Sequence, residues 1–112
     1  MSCVFLFAGL LPDDPNVIVG QNLNMTCQLY SDQYHARDLR FEFHPYHERK
    51  KNSSEVLRKK RVRASDTHII NDSVVELYYT NVRSRYDRAM VVCYHRNDRD
   101  IHASQIIKVG CE

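Results

Sequence analysis

Leu77-Tyr78-Tyr79-Thr80-Asn81-Val82, followed after a short gap by Asp87-Arg88-Ala89-Met90-Val91-Val92-Cys93, is the stretch that decides the fold. Val75, Leu77 and Tyr79 alternate with Glu76 and Tyr78, which is the two-residue period of a strand with one buried face. Ala89, Val91 and Cys93 repeat that period beyond a polar corner at residues 83–88. Two successive strands therefore point apolar side chains into one interior. Asp87 stands at the corner between them, and the small Ala89 leaves room for close packing.

The same alternation recurs upstream. Leu23, Met25, Cys27 and Leu29 oppose Asn24, Thr26 and Gln28, while Leu39, Phe41 and Phe43 oppose Arg40, Glu42 and His44 until Pro45, which has no N–H to give a ladder. Further strands are expected at residues 4–7, 67–70 and 103–109, with Asn71-Asp72-Ser73 as a turn. Helical periodicity is weak throughout. Seven or eight short strands make an all-β, antiparallel β-sandwich. Cys27 and Cys93 each lie on an alternating strand, so a bridge between them would join two sheets across the core. No C-x₂₋₄-C knuckle is present, which favours disulfides over a zinc site.

A chain of 112 residues has room for one core, so residues 1–112 are read as a single domain. With 43% hydrophobic and 27% charged residues it is globular in composition rather than disordered. A net charge of +2 commits it neither to nucleic acid nor to an anionic membrane surface. No stretch approaches the ~20 apolar residues of a membrane span, so any anchor is expected beyond residue 112. Residues 1–11 read either as the remnant of a leader or, since no basic segment opens them, as a first strand tied down by Cys3. Three sequons at Asn24, Asn52 and Asn71 fit a glycosylated chain in an oxidising, secreted setting.

The quoted stretch resembles the immunoglobulin pattern L-x-I-x-x-V…D-x-A-x-Y-x-C, in which the cysteine closes an inter-sheet disulfide. Two departures stand out. Val91 replaces the corner tyrosine, and the chain contains no tryptophan to pack on the disulfide, so Phe41 or Phe43 is expected to fill that space. These changes point away from an antibody-type domain and toward a divergent receptor domain. Gly9-Leu10-Leu11-Pro12-Asp13-Asp14-Pro15-x-Val17-x-Val19-Gly20-x-x-Leu23-x-Met25-x-Cys27-x-Leu29 in turn resembles the opening of tall class I cytokine receptors of the interleukin-6-family signal-transducer and Domeless types. In that family a similar proline-bounded segment precedes an N-x-T sequon, here Asn24 to Thr26, and the strand cysteine. The likeness is close over residues 9–29, looser over 75–109 and absent between. A family cysteine is replaced by Ala8, which leaves Cys3 with Cys111 as the expected second bridge.

What the resemblance implies is an extracellular domain of a longer, membrane-anchored receptor that contacts a cytokine-like protein ligand or another receptor subunit. A cell-adhesion or matrix-binding immunoglobulin module is the alternative. Neither reading needs an enzyme, a cofactor or a metal. His44-Pro45-Tyr46-His47 is the closest histidine pair, but Pro45 argues against a helix that would aim both rings one way, and no H-E-x-x-H or G-x-S-x-G occurs. Arg49-Lys50-Lys51 and Arg58-Lys59-Lys60-Arg61 crowd one polar segment and are a candidate site for a sulfated glycan. The plainer reading is a solvated hairpin whose charge protects a sheet edge. Tyr34 and Tyr46 are a candidate patch for a protein partner.

Overall fold

A computed structural model describes residues 7–46 and 60–111. Among the described residues ten strand segments form two layers. β1 (Ala8–Leu11), β3 (Leu23–Leu29), β7 (Val74–Tyr79) and β6 (Thr67–Asn71) make sheet I, in the order β1-β3-β7-β6. β5 (Lys60–Arg61), β4 (Leu39–His44), β8 (Met90–His95) and β9 (Asp98–Ile106) make sheet II, in the order β5-β4-β8-β9. Every pairing within these two sheets is antiparallel. β2 (Asn16–Ile18) instead runs parallel to β10 (Lys108–Gly110), which continues the last strand after Ile107. The chain thus leaves sheet I after β1, passes a cis Leu11–Pro12 bond, and joins the far side of the sandwich through β2. This is the immunoglobulin-like arrangement, and counting β1 with β2 and β9 with β10 gives eight strands among the described residues, within the seven or eight expected.

Alternation explains the layers. Leu23, Met25, Cys27 and Leu29 of β3 meet Val75 and Leu77 of β7 on the inner face of sheet I, and Leu39, Phe41, Phe43, Val91 and Cys93 supply the inner face of sheet II. Each of these side chains is buried, worth about 1.5–3 kcal/mol apiece for the larger ones. The Cys27–Cys93 disulfide crosses between the layers with its Cα atoms 6.4 Å apart. Phe41 pairs directly with Cys93. Phe43 lies 4.9 Å from the Tyr79 ring and 5.1 Å from Tyr86, so both phenylalanines serve the aromatic core.

The corner between β7 and β8 is a single 3-10 turn, Ser84–Tyr86. Tyr86 is buried there, and the Tyr79 hydroxyl donates to the Tyr86 hydroxyl at 3.4 Å. An aromatic ring is therefore supplied from the corner itself, seven residues before Cys93, where Val91 offers none. Asp87 accepts the Val109 N–H at 2.9 Å and ties the corner to the last strand. Gly20 turns the chain after β2 with φ +91°, a conformation that strains any residue with a Cβ.

Several boundaries differ from the sequence reading. The final strand starts at Asp98, five residues ahead of Ala103, because a tight turn at Arg96 and Asn97 folds β9 straight back on β8. β5 arises inside the basic segment, and the short β2 carries too few residues for a readable period. Of the strand expected at residues 4–7 only Phe7 is described, and it precedes β1.

Candidate functional site

The two outer faces of the sandwich are built differently. On sheet I the outward residues include Asn24, Thr26 and Gln28 of β3 with Val74, Glu76 and Tyr78 of β7 and Leu11 of β1, a face of mixed polarity. On sheet II the outward rows are Arg40 with Tyr94 and His102, Glu42 with Val92 and Ser104, and His44 with Met90 and Ile106. Alternation alone would leave all nine wet. Yet Glu42, Val92 and Tyr94 are only 5%, 6% and 3% exposed.

Arg99 is the cause. The register between β8 and β9 shifts after Tyr94, which pairs with His102, whereas His95 pairs with Asp98. Residues 99–101 are the surplus on β9, and such an irregularity re-aims the side chains it carries. Ile101 turns into the core, while Arg99 folds back over the sheet. Its guanidinium lies 3.9 Å above the Tyr94 ring and donates two bonds to the Glu42 carboxylate, at 2.7 and 3.1 Å. His44 Nε2 is 3.2 Å from the same carboxylate, and His102 Nδ1 lies 3.0 Å from the Arg99 carbonyl.

The electrostatics follow from that geometry. The Arg99 bonds hold the Glu42 carboxyl below its usual range, with burial opposing and His44 assisting. Arg99 in turn is held more firmly protonated, chiefly by its bonds to Glu42. A fixed cation on a buried aromatic, beside a hollow of about 270 Å³ lined by His44, Met90, Val92, Tyr94 and His102, presents apolar surface and oriented donors together. Such a surface can bind. Among the described residues no group of three or more His, Cys, Asp or Glu converges as a metal would need.

The residues singled out in the sequence fall as follows. Tyr34 is half-buried between Phe7 and His95, at 6.1 and 5.3 Å between ring centroids, and lies beyond the start of β4. Tyr46 lies beyond its other end, with Arg88 5.9 Å over the ring. A six-residue strand of roughly 17 Å separates them, so they form no single patch. Arg58 and Lys59 lie outside the described residues, as do Arg49 to Lys51, His47, Asn52 and Cys3. Lys60 turns away from any basic stripe: its ammonium donates to the Tyr79 hydroxyl at 2.9 Å, which raises its pKa against the effect of burial. Arg61 remains exposed. Asn24 and Asn71 are both exposed, and both belong to sheet I. Cys111 is exposed and forms no disulfide among the described residues.

The sequence reading did not single out Glu42, Arg99, Tyr94 or His102. Its one available signal was Glu42 between two core phenylalanines, an acid placed where a partner would have to be found. No family model matches this chain, and neither does any curated protein. Among the described residues no helix is long and apolar enough to cross a membrane.

Proposed function

We propose that the chain is an extracellular recognition domain of a cytokine receptor that docks a protein partner, a cytokine-like ligand or a receptor subunit, on the outer face of sheet II. The observation that carries this is the Arg99 guanidinium, fixed at once on Tyr94 and Glu42. Arginine and tyrosine are frequent anchors of protein interfaces, and a side chain already immobilised loses little further freedom on binding. Ile106, 43% exposed at the rim of the same face, adds apolar contact area. Sugars on Asn24 and Asn71 would shield sheet I. The domain performs no chemistry of its own in this reading.

The test is surface plasmon resonance of the secreted, glycosylated domain against a panel of four-helix cytokines and receptor ectodomains, with Arg99→Glu and Ile106→Asp as variants. Saturable binding that falls at least thirtyfold in both variants is expected. Binding that both variants leave intact, or a panel with no binder, defeats the assignment. An adhesion module would instead show self-association of the domain, lost in the same two variants.

A further inference from the structure

A second opening lies at the open edge of the sandwich between β4 and β6, and its lining does not include Arg99. Its floor is the buried side chains of Leu39, Phe41, Val62 and Val75, and its volume is about 650 Å³, within the roughly 300–1,000 Å³ of small-molecule sites. The groove exists because sheet II falls short there. Among the described residues β5 contributes two residues opposite the five of β6. Ile69 pairs with Val75 and so faces inward with it, yet Ile69 is 57% exposed while Val75 is buried. Among the described residues, no opposite layer covers this inward-facing aliphatic side chain.

The rim is one-sided in charge. Arg37, Arg40, Arg61 and Arg63 line it together with His68, and among the described residues no carboxylate does. The whole chain, by contrast, is nearly balanced at 16 basic and 14 acidic residues. Arg40 is held by its own backbone, donating to the Arg37 and Leu39 carbonyls at 2.8 Å each. Among the described residues none of the four arginines takes part in an ion pair. Four cations around an apolar floor are complementary to a molecule with an acid at one end and hydrocarbon at the other. A sulfated glycan would satisfy the rim but leave the floor bare.

We infer that this groove binds a single-chain anionic amphiphile, an aliphatic tail on Leu39, Phe41, Val62 and Ile69 with its carboxylate or phosphate among Arg37, Arg61 and Arg63. Isothermal titration calorimetry of the full chain would use decanoate, dodecanoate and dodecyl phosphate below their micelle concentrations, with uncharged methyl dodecanoate and a heparin tetrasaccharide as controls. Both dodecyl acids saturate one site in the micromolar range, and decanoate binds roughly tenfold more weakly than dodecanoate for two lost methylenes. The methyl ester is at least tenfold weaker. Arg37→Ser with Arg61→Ser, both exposed and tolerated by the fold, lowers acid affinity about tenfold at an unchanged melting temperature, and Ile69→Ser flattens the dependence on tail length. Equal affinity for the ester, no dependence on tail length, no saturation by 1 mM, or binding of the tetrasaccharide alone would each overturn the inference.

Discussion

Tyr78 and Tyr94 occupy matched places on opposite sides of the molecule: each points outward from a central strand of its sheet, and each has a charged residue beside it. Tyr78 is 47% exposed, as its outward place in the sequence alternation implies. Tyr94 is 3% exposed because a cation from the next strand lies on it. The difference teaches that the binary pattern of a strand states which way a side chain points, not whether water reaches it. The second property depends on a long side chain arriving from elsewhere, and a face on which that happens has been given a rigid surface of its own.

The broadest way to break the comparison is to unlink the two faces. Reduction of Cys27–Cys93, or Cys93→Ala with Cys27→Ala, is expected to cost about 2–5 kcal/mol, seen as a large drop in melting temperature that affects both faces alike. Tyr94→Ala should cost about 3 kcal/mol and Tyr78→Ala under 1 kcal/mol by urea denaturation, although both residues point outward. Equal losses would mean that Arg99 does not cover Tyr94 in solution. Among the acids, Glu42→Ala is expected to destabilise by about 1–2 kcal/mol, whereas Glu76→Ala, outward on sheet I, should fall within about 0.5 kcal/mol of zero.

The finest distinction comes from pH. Glu42 has a folded-state pKa lowered from the model-compound value of 4.5, so its contribution is complete above that value and disappears as pH falls through the lower, folded one. Stability from this group should stay level between pH 7 and pH 5 and decline below about pH 4.5. Glu42→Gln should remove that part of the acid dependence. Thermal melts across pH 3–7 on the two proteins would show it, and parallel curves would rule out an ionised Glu42 held by Arg99.

The core was legible because its chemistry is local. Leu23 to Leu29, Phe41 and Phe43, and the Leu77 to Cys93 stretch each announce their inward faces by spacing, and the disulfide follows from two cysteines on such faces. The candidate site was not legible for the opposite reason. Glu42 and Arg99 are 57 residues apart, and only the register shift after Tyr94 brings them together. Nothing in the run Arg96-Asn97-Asp98-Arg99-Asp100 distinguishes the arginine that folds back from the one that does not. Tyr34 and Tyr46 failed as a pair because composition counts tyrosines without placing them, and Lys60 left the basic run because neighbours on a strand face opposite ways.

The parallel pairing of β2 with β10 has a mechanical consequence. Once β1 has come away from β3, tension applied through the two ends of the chain pulls on the start of β2 and the finish of β10, which lie at opposite ends of that ladder. The load therefore acts along the strands, and the bonds from Lys108 N–H to the Pro15 carbonyl and from Val19 N–H to the Gly110 carbonyl are sheared together rather than unzipped in turn. A domain strung between two partners would resist stretching until this clamp gave way as a unit.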